Sequence, residues 1–356
     1  MFFVPTIPNS PLISPDARDP MGPMELRRNP ALDFIENAAF DSSIAEYDDS
    51  YQNSQAHSQA FVSHMRSMLK MLVDAFPAGA RMVEVGCGKG DFLEMAQESG
   101  HFVVSGYDAT YEGDNPAIEK RYLNAGDRIS ADLVVLRHVL EHIPAPHRFL
   151  AMLAEIFGEA KIYIEVPNWD WIAEHQTFFD ITYEHVNYFS RLALRKLFEG
   201  PVDAGLCFHD QYQYIIASLR HTSQGFSGQY DTGPWVTLSF ETLFPNLASS
   251  IADVDARLSP QSKLYVWGAA TKGCMFLVHC QRQSRLIDRV GFAVDVNPQK
   301  CGKYLPGSHI PIKTADDLVA AIRPGDVLLV SNPNYRAEIE TFLADRGVVG
   351  VDVSSL

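Results

Sequence analysis

Four short stretches of this 356-residue chain carry side chains able to do chemistry. The first is Glu84-Val85-Gly86-Cys87-Gly88-Lys89-Gly90-Asp91. Glycines so spaced let the backbone turn sharply out of a strand and bring its N–H groups against a ligand. A dinucleotide turn favours G-x-G-x-x-G, which seats a pyrophosphate on a helix N-terminus. Here the spacing is G-x-G-x-G, with Asp91 where the last glycine would stand. Glu84 and Asp91 also put negative charge beside the loop, which repels pyrophosphate and suits a cation. The second stretch ends at Asp108, 22 residues after Gly86, where a carboxylate accepts hydrogen bonds from ribose hydroxyls. The third and fourth are Glu141-His142 and Glu184-His185, imidazoles and carboxylates suited to proton transfer near neutral pH. Adjacent side chains diverge on a helix or strand, so neither pair is expected to be a hydrogen-bonded dyad by itself.

These residues need strands and helices to place them. Apolar Phe61, Met65, Met68, Leu72 and Phe76 recur at three and four residues and predict an amphipathic helix within 54–76. Strands are predicted at 81–85, 102–107, 132–136, 161–166 and 214–219, with helices at 91–98, 147–157 and 191–199. Alternating strands and helices imply an α/β fold with a parallel, doubly wound sheet. Residues 222–236 are rich in Gly, Ser, Thr and Pro and read as a loop or linker, followed by a helix over roughly 241–258. A second, smaller Rossmann-like pattern begins at Lys263, with strands ending at Asp295 and near Asn332. The expected organisation is a Pro-rich disordered tail over 1–30, a ligand-binding domain over 31–222, a linker and helix over 223–262, and a C-terminal domain over 263–356. Seven prolines in the first 30 residues are the reason for expecting that tail to be extended or disordered.

A sulfonium cation with an ammonium group, a ribose and no phosphate is S-adenosylmethionine, and the glycine loop with Asp108 resembles motif I and its acidic partner in the class I S-adenosylmethionine-dependent methyltransferases. A purely structural glycine turn is the alternative. Residues 136–150 (LRHVLEHIPAPHRFL) resemble the segment after the fourth strand in that superfamily. Residues 178–190 (FFDITYEHVNYFS) resemble the Glu-His signature of sugar C-methyltransferases that act on nucleotide-linked keto-sugars. Trp267-Gly-Ala-Ala-Thr-Lys272-Gly273 and the run from Asp295 through Lys300, Gly302, Pro306, Gly307 and His309 to Pro311 resemble that family's second Rossmann-like domain. The resemblance spans residues 45–356. Two departures stand out: no cysteine precedes Cys87, so the family's N-terminal zinc module is absent or replaced, and Thr182 stands where the family places a tyrosine, with Tyr183 next to Glu184.

The resemblance implies S-adenosylmethionine held by Glu84, Gly86, Cys87, Gly88, Gly90, Asp108, Arg137, His138 and Tyr51. Transfer to carbon beside a carbonyl needs a base for the α-proton and a partner for the enolate oxygen. His185 is the base candidate and Glu184 its charge partner or a second base. His142 is either a second imidazole near the methyl donor or a cap on the loop before Pro144. Tyr183 and Tyr188 can bond an enolate or a sugar hydroxyl, Tyr188 also reading as packing. Asn168, Tyr188 and Lys272 are the substrate-binding candidates, with Lys272 meeting a phosphate of the substrate's nucleotide and Lys300, Lys303 and His309 adding positive character; a structural domain is the other reading. Tyr51, Asn53 and His57 read as lid residues or as a solvated lead into the helix. No His spacing matches a metal-ligand motif, so no metal is expected.

Composition sets the outer limits. The net charge of −15 argues against a broad grip on nucleic acid or anionic membrane. Residues 1–200 carry 16 basic and 29 acidic side chains and the remainder 13 and 15, so the acidity gathers in the half holding the glycine loop. Five cysteines, none in a C-x-x-C pair, exclude a disulfide framework. No apolar run approaches a membrane span, and the Pro-cut N-terminus lacks a basic signal region, so a cytoplasmic protein is expected. The function expected is C-methylation of a nucleotide-linked keto-sugar. The alternatives are O- or N-methylation of another small molecule, a non-catalytic S-adenosylmethionine-binding protein and, weakest, a nicotinamide dehydrogenase.

Overall fold

The computed structural model describes residues 2–45, 47, 51–52 and 58–356. Its largest sheet has seven strands in the spatial order Asp203–Cys207, Tyr212–Ser218, Lys161–Pro167, Leu133–Arg137, Arg81–Val85, Val103–Tyr107, Ile118–Glu119. The last five run parallel, whereas the neighbour pairs 203–207 with 212–218 and 212–218 with 161–167 are antiparallel. Buried Val83, Val134, Val135, Leu136, Ile162 and Ile164 show why the central strands read as continuous apolar runs: helices cover both faces. The strand 203–207 (DAGLC) escaped prediction because it is an edge strand with one buried residue, Cys207.

The helix Gln59–Ala75 starts where Ser58 accepts a hydrogen bond from Phe61 N, and it buries Phe61, His64, Met65, Leu69 and Leu72. A five-stranded parallel sheet forms the C-terminal unit in the order Ile312–Lys313, Val290–Val294, Leu264–Trp267, Val327–Val330, Asp352–Ser355. The crossover from its strand 264–267 to 290–294 is the helix Thr271–Gln283.

The first 30 residues are not a disordered tail. Phe2–Pro5 pairs antiparallel with Met21–Met24, and Leu26–Asn29 joins a four-stranded sheet with Phe34–Asn37, Asn187–Phe189 and Val236–Thr237. Val4 and Met24 are at most 1% exposed and share a core cluster with Tyr183, Phe276 and Leu305. Leu12 and Tyr304 exchange backbone hydrogen bonds of 2.8 and 2.9 Å, and Asp19 accepts from Gly307 N at 2.9 Å and His309 Nε2 at 2.7 Å. Prolines forbid a helix but permit extended backbone, and the apolar residues between them cement that backbone onto the C-terminal unit.

Residues 222–236 also differ from expectation. Ser223 caps a helix, Gln224–Thr232, whose Phe226 is 1% exposed. Gly is tolerated inside this helix because tertiary burial outweighs weak propensity. The predicted helix 241–258 is broken at Pro245 into Phe240–Leu243 and Leu247–Ala256.

Candidate active site

A cavity of about 420 Å³ opens at the carboxyl ends of the strands of both large sheets, lined by the N-terminal arm, the glycine loop, the two Glu-His segments and the C-terminal unit. The strand 81–85 delivers Glu84 and then turns at Gly86 (φ +73°), where a Cβ would meet Val139 Cγ2 at 2.5 Å. Gly86, Cys87 and Gly88 line the cavity, whereas Gly90, in left-handed conformation, caps the helix Asp91–Glu98 away from it. Glu84 is 3% exposed and its Oε2 has no hydrogen-bond partner. Burial pushes its carboxyl up to about 8, against the pull of Arg137. A buried carboxyl with one unbonded oxygen beside a glycine turn fits a cationic group such as the ammonium or sulfonium of S-adenosylmethionine.

Asp108 does not line the cavity. Its Oδ2 accepts from Gly88 N and its Oδ1 from Thr110 N and Oγ1, each at 2.8 Å, so this carboxylate braces the glycine loop. Arg137 and His138 do line the cavity, and both lean on a residue that the sequence did not single out, Glu165. Arg137 Nη2 donates to its Oε1 at 3.2 Å, and His138 Nε2 and His64 Nε2 lie 3.1 and 2.9 Å from the same oxygen. Burial pushes the Glu165 carboxyl up, but Arg137, His138 and His64 outweigh it and hold the group well below the usual carboxylate range. Its signal in the sequence was a lone acid inside the apolar strand KIYIEVP.

The two Glu-His pairs converge across the fold. His142 and His185 pack edge to face with ring centroids 4.9 Å apart. Burial, with His142, His138 and Lys272 nearby, holds His185 well below the ordinary histidine value, so its imidazole is neutral. Glu184 is 1% exposed; Tyr51 donates to its Oε2 at 3.3 Å and Thr271 to its Oε1 at 3.4 Å. Burial raises its carboxyl, partly countered by His142, Tyr51 and Thr271. Tyr47 Oη lies 3.2 Å from His142 Nδ1. Tyr51 thus meets Glu184 on the cavity wall, while Asn53 and His57 lie outside the described residues.

Three expected site residues, Tyr183, Tyr188 and Asn168, serve the scaffold instead. The Tyr183 ring packs against Gly22, and its hydroxyl accepts from Asp41 N at 2.7 Å. The Tyr188 hydroxyl is spent on Thr182, accepting from its N at 3.1 Å and donating to its O at 3.0 Å. Thr182 is fully buried and does not face the cavity, so the missing family tyrosine has no substitute at this position. Asn168 caps the helix Trp169–His175, accepting from Asp170 N and donating to Asp210 O. Tyr183, Tyr188 and Thr182 lie off the cavity, buried in the core, and of the segment 178–190 only Asp180, Glu184 and His185 reach the wall.

Lys272 reaches the cavity but is ion-paired with Asp180 over the rings of Trp171 and Phe179. Lys300 is 4% exposed, donating to Ala269 O and Asn9 and lying 3.5 Å from Asp295. His309 grips Asp19 and the Pro15 carbonyl, far from a phosphate-binding role. Each lysine and arginine on the described cavity wall has a carboxylate partner: Lys89 with Glu112, Arg137 with Glu165, Lys272 with Asp180, Lys300 with Asp295. Among the described residues, two groups of side chains have ligand atoms within 4.8 Å of one another, Glu141 with His142 and His185, and His64 with Glu165 and Cys207. Residue spacing gave no sign of either group, because each joins separate elements.

Asn9, Gln211 and Asn332 also line the cavity and were not predicted. Asn332 follows the strand 327–330 at its carboxyl end, the general ligand position in open α/β sheets. Nothing in the sequence marked Asn9. Among the described residues no helix is long and apolar enough to cross a membrane.

Comparison with known proteins follows this division. Residues 56–201 match the family model of a methyltransferase domain, and residues 247–349 that of a C-methyltransferase C-terminal domain. The C-methyltransferase NovU of Streptomyces niveus is 25% identical over 316 residues, covering 79% of this chain and 73% of that protein. Among solved structures, magnesium protoporphyrin IX methyltransferase from Synechocystis PCC 6803 with bound SAM is 14% identical, covers 47% of this chain and 85% of its own, and has a TM-score of 0.33. A SAM-dependent methyltransferase from Archaeoglobus fulgidus is 17% identical, covers 45% and 94%, and has the same TM-score of 0.33.

Proposed function

The chain is an S-adenosylmethionine-dependent methyltransferase with a C-methyltransferase C-terminal domain, and from that premise we propose that it methylates a carbon beside a carbonyl, on a keto-sugar carried by a nucleotide. The observation that carries this reading is the buried His185 ring packed edge to face on His142, on the same cavity wall as the glycine loop, where burial holds its imidazole below the ordinary histidine value. S-adenosylmethionine, when bound, supplies a methyl group on a sulfonium. Glu84, Gly86, Cys87 and Gly88 hold it, braced by Asp108. His185 takes the α-proton of the acceptor; the resulting carbanion forms the new carbon–carbon bond as the carbon–sulfur bond breaks, its electron pair staying on sulfur. The proton remains on the His185 imidazole as the new bond forms.

The test is solvent deuterium exchange at the substrate's α-carbon without methyl donor, followed by a 14-dalton gain once S-adenosylmethionine is added. Exchange by the wild type and none by His185→Gln supports the reading. Methyl gain on oxygen or nitrogen, with no exchange, overturns it.

A second reading, methylation of an acceptor without phosphate, is favoured by the pairing of Lys272 with Asp180 and of every other lining lysine and arginine with a carboxylate. A pyrophosphate would have to break one of those pairs or rely on backbone N–H groups. Comparing a keto-sugar with and without its nucleotide as acceptor separates the two.

A further inference from the structure

Among the described residues, the N-terminal arm reaches the cavity through Asn9. Asn9 Nδ2 donates to Thr271 Oγ1 at 2.9 Å, and Thr271 Oγ1 donates to Glu184 Oε1 at 3.4 Å. On its other side, Asn9 Oδ1 accepts from Lys300 Nζ at 3.2 Å. The Asn9 carbonyl also accepts from Gln52 N at 2.9 Å, next to Tyr51, whose hydroxyl donates to Glu184 Oε2. One oxygen of Glu184 is therefore bonded to a hydroxyl that Asn9 engages directly, and the other to Tyr51, whose chain neighbour Gln52 bonds the Asn9 carbonyl.

The direction of this chain is fixed at its ends. Lysine only donates, so the carboxamide must turn its oxygen to Lys300 and its NH₂ to Thr271. A Thr271 hydroxyl that accepts from Asn9 must point its own proton onward, at Glu184. We propose that Asn9 is a positioning residue of the methyl-transfer site: it polarises the Thr271 hydroxyl toward Glu184 and fixes the orientation of that carboxylate beside His142, the ring packed against His185. The inference rests on the reading of Glu184 and His185 given above. It also assigns the ordered arm a task, since burying two strands on the C-terminal unit would be wasted on a spacer.

Glu184 is faced by Tyr47 and Tyr51 from the segment before the helix 59–75, by Glu141 and His142 from the turn after the strand 133–137, by Tyr188 from the strand 187–189, and by Thr271 and Cys274 from the helix 271–283. His185 follows it in the chain. Asn9→Asp keeps the backbone bond to Gln52 and the Lys300 partner but presents only acceptors to Thr271. The Thr271 proton then turns back to the introduced carboxylate and away from Glu184. Because the added charge also repels Glu184 through space, Asn9→Asp is read against the uncharged Asn9→Ala, which removes the donor without adding charge and should raise the Glu184 midpoint as well.

Infrared titration of the carboxyl band, with Glu184→Gln as the reference, reads this without any substrate. The expected result is a rise of about one pH unit in the Glu184 midpoint for Asn9→Asp, matched by Thr271→Val and restored by Thr271→Ser. In methyl transfer, kcat should fall about tenfold with KM for S-adenosylmethionine unchanged. The double variant Asn9→Asp/Thr271→Val should lose no more than Thr271→Val alone. An unmoved Glu184 midpoint, or fully additive losses, overturns the assignment. If Asn9→Asp fails to fold, the Thr271→Val and Thr271→Ser pair still decides whether the hydroxyl orients Glu184, and an unmoved midpoint there overturns it equally. Titration that shifts while no ketone is methylated would refute the C-methyl reading and leave Asn9's role intact; methylation with an unshifted midpoint does the reverse.

Discussion

His142 stands edge to face against His185, ring centroids 4.9 Å apart and planes at 84°, although 43 residues separate them in the chain. One comes from the turn after the strand 133–137 and the other from the segment before the strand 187–189. Two imidazoles so close cannot easily both be cations, so His142 helps keep the buried His185 available as a base. The pairing runs across the two Glu-His dipeptides and not within either one.

Removing that neighbour should be visible in the pH profile. Burial first, and His142 second, hold His185 below its ordinary value. A neutral base loses activity as pH falls through its pKa, so the acid limb of kcat assigned to His185 lies below about 6.5. In His142→Gln that limb should move to higher pH, while His185→Gln should cost roughly 10²–10⁴ in kcat with S-adenosylmethionine affinity little changed. A limb that stays in place in His142→Gln would deny the coupling.

Tyr183 gives the opposite expectation. Its ring fills the space over Gly22 and its hydroxyl is bonded to Asp41 N and O, at 2.7 and 3.3 Å. Tyr183→Phe should leave kcat within about twofold and cost about 1 kcal/mol of stability. Denaturant midpoints together with initial rates check both halves, and a hundredfold rate loss in a fully folded variant would return Tyr183 to the chemistry.

Much of this division was legible in the sequence because it was written in periodicity. The parallel strands, the glycine turn and both Glu-His segments are local patterns with a physical meaning at short range. Glu165, Asn9 and the Lys272–Asp180 pair were not legible, since their roles are defined by partners 28, 262 and 92 residues away. The arm was misjudged for a related reason. Proline content reports on the backbone's own preferences, whereas its order comes from Val4 and Met24 finding a core supplied by the other end of the chain.

Glu84 offers a test of the cofactor side that needs no acceptor. Burial lifts its carboxyl to about 8 in the free protein, so at about pH 7 it is largely protonated. A cation bound beside it favours the ionised form, which requires release of a proton on binding. Affinity for S-adenosylmethionine should rise from about pH 6.5 to about pH 8 and then level, and calorimetry in buffers of different ionisation enthalpy should detect up to about one proton released at the low end. Glu84→Gln should lose both affinity and proton release; a variant that binds as tightly as the wild type would remove Glu84 from the site.

His279 makes a prediction for the platform beneath the site. It lies in the helix that begins at Thr271, stacked on Phe240 at 5.2 Å and touching Phe178 and the arm's Phe2. Its Nε2 is buried without a hydrogen-bond partner, and burial lowers its pKa to about 3. The unfolded chain, with a histidine near about 6.5, binds the proton that the folded chain refuses. Stability is therefore complete above about 6.5 and is lost as pH falls toward about 3, by about 2 kcal/mol at about pH 5 from this residue alone. His279→Phe keeps the stacking and abolishes the titration, so the fall in Tm between about pH 7.5 and about pH 5 should be smaller than in the wild type. An equal fall in both proteins would mean that the acid sensitivity of the arm's seat lies in other groups.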